Sequence, residues 1–267
     1  MTVLEFFATL LYNTFSLMDI PKRISVILSR LNKAYGKPKL FPRSDPVDEV
    51  IRTVLSQNTN DRNSLAAFAV LKKAFTSWDK TLAAPTQRIA HLIRHAGLSN
   101  IKARRIKEVL TEIKRREGRI TLSGLGSLDA KEAMDYLRSL KGVGPKTAAC
   151  VLLFSFRKPA MPVDTHIFRV SKRLGLISSK TDIEEAHEIF TEMFQKRLVP
   201  RRGLLRKPCS GSRPDSKIIA LIYNFHLCII EHGRKTCKAQ NPRCGSCVLY
   251  SLCRFKEKFK YETKVKV

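Results

Sequence analysis

Apolar residues along this chain recur every three or four positions, and no stretch shows the residue-by-residue alternation or the Asn-Gly turns of a hairpin-built sheet. That periodicity predicts an all-α protein. Asp45-Pro46 supplies a capping residue and a first-turn proline ahead of VDEVIRTVLSQ, and Thr181-Asp182-Ile183-Glu184 has capping-box spacing ahead of AHEIFTEMF. Further helices are predicted near residues 21–35, 62–75, 87–95, 129–139, 145–156, 165–174 and 215–232. The longest basic one runs from Ser99 to Arg116, with Ile101, Ile106, Val109, Leu110 and Ile113 forming one buried stripe and its lysines and arginines left in solvent.

Connections between these helices are mostly short. Gly124-Leu125-Gly126 is a turn rather than a nucleotide loop, because no strand precedes it and no phosphate-binding lysine comes after it at the right offset. Pro200 to Arg213, PRRGLLRKPCSGSR, has no periodicity and reads as a basic loop. The apolar start, MTVLEFFATLLYNTFSLM, lacks a positively charged leader and a cleavage site, contains Glu5 and is too short to span a bilayer. Met18 begins a natural protein start, so residues 1–17 are read as an upstream extension, and no membrane partner is expected.

Charge changes the picture. Fifty Lys and Arg against 23 Asp and Glu leave a net charge of +27, spread along the whole chain. A solvated lysine-rich surface accounts for a few extra charges; an excess of this size points to a polyanion. A soluble, intracellular, nucleoid-associated protein is expected.

Three strings carry candidate chemistry. In Leu140-Lys141-Gly142-Val143-Gly144-Pro145-Lys146-Thr147-Ala148, two glycines one residue apart lie between predicted helices. Such a turn brings backbone N–H groups close to a phosphate, with the next helix's dipole behind them, and holds a nucleic acid without reading its sequence. In Met161-Pro162-Val163-Asp164-Thr165-His166, Asp164 stands at a helix cap, 18 residues beyond Lys146. One helix and one loop separate the two, enough for the chain to return both side chains to one cleft. A deprotonated lysine is a nucleophile, and a carboxylate stabilises positive charge developing on a sugar.

The third string is Cys237-x6-Cys244-x2-Cys247-x5-Cys253, four of the seven cysteines within seventeen residues. It has one C-x2-C pair where structural zinc sites have two, and four thiolates suit an iron-sulfur cluster equally well, so spacing alone leaves the metal open. Cys150 and Cys228 lie in apolar helical sequence and are given no role.

Together these residues resemble the endonuclease III family of helix-hairpin-helix DNA glycosylases, from about Ile20 to Lys258. The resemblance implies a four-iron, four-sulfur cluster on Cys237, Cys244, Cys247 and Cys253. It implies two lobes: a six-helix barrel over 45–155, and a cluster domain from 18–44 plus 156–258, with 259–267 a basic tail. It places a sugar-attacking nucleophile on Lys146 and its assisting carboxylate on Asp164. It assigns DNA contacts to Gly142, Val143 and Gly144, to His166, and to Lys238 and Arg243 in the cluster-supported loop. Members fill the gap left by an extruded base with a polar side chain and an apolar wedge. Here LSQNTND offers Gln57 or Asn58 for the first and AGLSN offers Leu98 for the second, although LSQNTND departs from the bacterial pattern LSAQATD.

The implied activity is that of a bifunctional glycosylase and abasic-site lyase, acting as a monomer on double-stranded DNA with oxidised pyrimidines of the thymine glycol type. Lys146 carries that expectation, since related monofunctional glycosylases have Tyr or Ser there. A mismatch glycosylase for T or U opposite G, or a non-catalytic DNA-binding protein, are the alternatives.

Overall fold

Helix caps set where the segments of this chain begin and end. In the computed structural model, which describes residues 20–194 and 216–262, eleven α-helices are present among the described residues, joined by short 3-10 turns and no strand. The fold is all-α, as the periodicity predicts. Residues 1–17, the loop 200–213 and the end of the 259–267 tail lie outside the described residues. No helix among the described residues is long and apolar enough to cross a membrane.

The chain divides into two compact units, Pro42–Pro162 and Met1–Phe41 with Val163–Val267. The first contains α2 (Pro46–Ser56), α3 (Asp61–Ala74), α4 (Trp78–Ala83), α5 (Thr86–Leu92), α6 (Ser99–Glu117), α7 (Ala130–Arg138) and α8 (Pro145–Phe154). Asp45 caps α2 by accepting from the N–H groups of Val47 and Asp48 at 2.9 Å, and Asp129 with Glu132 forms a full capping box on α7. Helix α2 packs against α3 and α8, and α5 against α6. Val50, Ile51, Val54, Ile106, Leu110, Val151 and Leu152 are all fully buried in the shared core.

Helix α6 differs from its predicted face. Ile101 is 40% exposed, whereas Lys102 is 1% exposed and takes its place on the buried stripe. The helical period explains this: Lys102 stands four residues before Ile106, one turn away on the same side. Its ammonium is accommodated because two carbonyl oxygens accept from it. Helix α4, only six residues long, is absent from the helices that the periodicity predicts; Ser77 caps it, and Trp78 Nε1 donates to Asp48 Oδ1 at 2.9 Å.

The second unit holds α1 (Ile20–Tyr35), α9 (Thr165–Leu174), α10 (Ile183–Glu192) and α11 (Ser216–Lys235). Helix α11 packs against both α1 and α9. Phe190, Phe194 and Phe225 form one aromatic cluster, with ring centroids 5.5 to 6.3 Å apart. The cap of α10 is Asp182, whose side chain accepts from Glu185 N–H at 2.8 Å, so the expected Thr181 box is displaced by one residue. Thr181 itself is buried, which leaves the exposed carboxylate to meet the helix.

Candidate functional site

The glycine turn lies wholly within the Pro42–Pro162 unit. Leu140 and Val143 are buried and close it, with Val143 N–H donating to Leu140 O at 3.0 Å. Gly142 has φ +88°, a left-handed conformation that a side chain at this position strains against. Gly144 caps α8 without a side chain and Pro145 takes the first helical position, so no side chain covers the first-turn N–H groups. Val143 has its side chain buried in the core, which leaves its backbone to the turn. Lys146 is the second residue of α8 and is half-buried.

A carboxylate that the sequence pattern does not mark stands near this lysine. Glu49 on α2 accepts from Ser44 Oγ at 3.0 Å, and Ser44 Oγ is 3.1 Å from Ser155 Oγ. Burial raises the Glu49 pKa above the ordinary carboxyl value, while the Ser44 hydrogen bond and the positive charges of Arg52 and Lys146 pull it back. Nothing in the apolar period of α2 singles out this glutamate, because its environment is supplied by α8 and the Ser44 loop.

Gln57 and Asn58 come just after the end of α2, and Leu98 precedes α6. Asn58 has φ +51° and Leu98 φ +48°, and Leu98 is 51% exposed. Left-handed backbone at non-glycine residues costs energy and is kept only where surroundings enforce it. Arg105 on α6 donates to Gln57 Oε1 at 2.5 Å, and its Cγ lies 3.9 Å from where a Cβ on Gly142 would stand. One arginine therefore brings Gln57 and the glycine turn into one neighbourhood. Lys102 Nζ donates to Leu55 O at 2.8 Å and to Ala96 O at 2.7 Å.

Asp164 belongs to the other unit. Its Oδ1 accepts from Ile167 N–H at 2.8 Å, making it the cap of α9. His166, in the first turn of that helix, is half-buried and packs on Gly233 of α11, where an added Cβ would come within 2.9 Å of the histidine Cβ. Burial lowers its pKa. Arg169 lies 3.2 Å from His166 Nδ1 and donates to Gly233 O and Cys237 O at 2.9 and 3.0 Å. His166 thus sits within an arginine network that reaches the first cysteine.

Cys237, Cys244, Cys247 and Cys253 line one cavity, with His232 and Arg173 on its wall. Among the described residues, no three His, Cys, Asp or Glu side chains converge as ligands on a single ion. Thiols that ring a cavity rather than meet at a point suit a multi-iron cluster, in which each thiolate takes a different iron. Burial pushes the Cys247 thiol up to about 12, and raises Cys244 and Cys253 too, so occupancy by metal must drive their deprotonation. Arg173 Nη1 donates to Cys237 Sγ at 3.4 Å and to Lys238 O at 2.7 Å. Arg30 ties the far side, donating to Ser251 Oγ at 2.7 Å and Val248 O at 3.2 Å. Lys238 and Arg243 are exposed on the loop between the first two cysteines. Cys228 is buried, within 3.3 Å of Asn32 and Asn224 side chains, and lines no part of this cavity.

Comparison with known proteins matches this arrangement at both ends. The model of the HhH-GPD superfamily base excision DNA repair protein covers residues 51–196, and that of the iron-sulfur binding domain of endonuclease III covers 237–253. Endonuclease III of Sulfolobus acidocaldarius is 34% identical over 77% of this chain and 80% of its own length. Among solved structures, a non-covalent endonuclease III–DNA complex superposes with a TM-score of 0.70 at 27% identity, covering 92% of this chain and all of the other. A trapped endonuclease III–DNA covalent intermediate gives 0.68 at 27% identity, over 91% and 99% of the two chains. The glycine turn, the capped Asp164 helix and the cysteine cavity are therefore parts of one inherited design, and the chain belongs to the endonuclease III family of iron-sulfur DNA glycosylases within the HhH-GPD base excision repair superfamily.

Proposed function

We propose that this protein is a bifunctional DNA glycosylase and abasic-site lyase that removes oxidised pyrimidines from double-stranded DNA. The observation that carries the reading is the placement of Lys146, half-exposed at the second position of α8, immediately after a glycine turn whose backbone N–H groups are free of side-chain caps. A duplex held there by its phosphates, through the backbone of Gly142 and Gly144 with Val143 closing the turn between them, meets a lysine at its sugar edge. The positive excess of the chain supplies the attraction, together with Lys238 and Arg243 on the cysteine loop.

Deprotonated Lys146 Nζ attacks C1′, the glycosidic bond breaks, and the base leaves with the bonding pair and takes up a proton. Asp164, as carboxylate, stabilises the positive charge on the sugar during this step. The sugar ring opens to a Schiff base on Lys146. A C2′ proton is then lost and the C3′–O bond breaks, which nicks the strand 3′ to the lesion and leaves the phosphate on the departing end. Water finally hydrolyses the Schiff base and restores the amine.

Four cysteine thiolates, when they hold a four-iron, four-sulfur cluster, fix the loop that carries Lys238 and Arg243. Arg173 and Arg169 orient that loop from α9. Extrusion of the base precedes the chemistry and costs a few kcal/mol, least for a poorly paired lesion. Asn58 or Gln57, with Leu98, fills the gap.

Borohydride trapping tests the reading on duplexes containing thymine glycol, uracil opposite guanine, or an abasic site. The expected result is a covalent adduct with thymine glycol that Lys146→Gln abolishes. Base release with no adduct would move the assignment to a monofunctional mismatch glycosylase, and binding without either product to a non-catalytic DNA-binding protein.

A further inference from the structure

Among the described residues, Lys102 is the one lysine in the set of largest fully buried side chains, at 1% exposure. Burying an ammonium is costly unless hydrogen-bond acceptors replace its water. Here the acceptors are the carbonyl oxygens of Leu55, at 2.8 Å, and Ala96, at 2.7 Å. Both belong to the last turn of a helix: Leu55 is the penultimate residue of α2, and Ala96 ends the short 3-10 helix Arg94–Ala96. Such carbonyls lack partners within their own helix, and that of Leu55 also lies at the negative end of the α2 dipole. A single buried cation therefore closes two helix ends at once.

Each of these helix ends leads into a strained, exposed turn. Asn58 comes three residues after Leu55 and has φ +51°; Leu98 comes two residues after Ala96 and has φ +48°. These are two of the four non-glycine residues with positive φ among the described residues. Lys102 is also anchored at its own backbone, its N–H donating to Leu98 O at 3.0 Å. Burial lowers the Lys102 pKa, and hydrogen bonds to two carbonyl oxygens work against that shift by favouring the charged donor.

We infer that Lys102 is a positioning residue for base extrusion, its buried ammonium tying together the two strained turns that present Asn58 and Leu98 to the DNA. The inference rests on the proposed gap-filling role of those two residues. Lys102 touches no reacting atom; it acts by fixing the backbone from which the inserting side chains project. Without the cation, two buried carbonyls lose their partner and both turns relax toward ordinary backbone.

The test compares wild type, Lys102→Met, Asn58→Ala and Leu98→Ala as cluster-loaded full-length proteins. Single-turnover cleavage is measured on thymine glycol paired in a duplex, which requires extrusion, and on thymine glycol in a single strand, which does not. Fluorescence of 2-aminopurine beside the lesion reports extrusion directly. Lys102→Met is expected to lose about 10-fold or more on the paired substrate while its single-strand rate stays within about 2-fold, with the fluorescence rise lost in parallel. An equal fall on both substrates, or no change on either, overturns the inference by leaving Lys102 a scaffold residue only. If Asn58→Ala and Leu98→Ala both leave the ratio unchanged, the gap-filling reading itself is wrong. If they lower the ratio and Lys102→Met does not, that reading stands and the role of Lys102 fails. Should Lys102→Met not fold, Lys102→Arg decides by the same ratio, because a planar guanidinium keeps the charge but not the point geometry that serves two carbonyls.

Discussion

Arg173 Nη1 donates to Cys237 Sγ at 3.4 Å, and the carbonyl of the same arginine accepts from Arg254 N–H at 2.8 Å and lies 3.3 Å from Cys253 Sγ. One residue of α9 thus touches both the first and the last cysteine of the cavity, so the helix that Asp164 caps is also the frame on which the cysteine loop hangs.

Removing the side-chain part of that frame is expected to loosen the cluster before it affects the helices. Arg173→Ala should release iron roughly 10–100-fold more readily under a chelator, as for lost outer partners of metal ligands. Loss of the visible cluster absorbance over time checks this. Unchanged kinetics of iron loss would show that the cysteines hold their positions without the arginine.

Asp164 has an observed role and a proposed one, and substitution can separate them. Its carboxylate caps α9 through Ile167 N–H, a job that asparagine performs equally well, while the proposed stabilisation of a cationic sugar needs the charged form. Asp164→Asn is expected to keep thermal stability and lose most turnover, whereas Asp164→Ala loses turnover and about 1 kcal/mol of stability as well. Denaturation curves beside trapping yields distinguish the two; full activity in Asp164→Asn would reduce this residue to a cap.

Gly142 has φ +88° and nothing closer than 3.9 Å to an added Cβ, so conformation rather than crowding is what a side chain violates. Gly142→Ala should cost about 1–2 kcal/mol of stability. It should also weaken binding to undamaged and damaged duplex by the same factor, because the proposed contacts of this turn are to phosphates. Titrations on both duplexes check this, and a selective loss on damaged DNA would contradict a sequence-blind backbone contact.

Glu49 makes stability depend on pH in a definite direction. Burial, the largest influence, raises its pKa in the folded state above the ordinary 4.5, so the folded protein holds more protons than the unfolded chain in the interval between the two values. Its contribution to stability is complete below 4.5 and is lost as pH rises through the raised value. Glu49→Gln is expected to remove this decline. Denaturant unfolding at a series of pH values, read as the difference between the two proteins, checks it; identical pH profiles would place Glu49 in solvent.

Helix starts, the glycine turn and the cysteine set are legible along the chain because each is a local matter. Asp45 with Val47 and Asp48, Asp129 with Glu132, and Asp164 with Ile167 satisfy N–H groups two or three residues away, and such caps act over the same distance in any protein. Spacing also marks Lys146 and the four cysteines as unusual, and the family resemblance gives them a chemistry that the comparisons uphold for the fold, the enzyme class and the cofactor. What spacing does not show is the burial of Lys102. Its period places it on the apolar stripe, but residue type argues the other way, and only the carbonyls of Leu55 and Ala96, supplied from 47 and 6 residues away, settle the matter. Glu49 is hidden for the same reason, since its surroundings come from Ser44 and the α8 segment around Ser155. Short α4 escapes because six residues are too few to display a 3.6-residue repeat. The linear chain therefore determined where most of the helices lie and which side chains are candidates for chemistry, while tertiary structure decided which polar groups are buried and what holds them, because desolvation and hydrogen bonding at a buried charge depend on partners that only folding brings near.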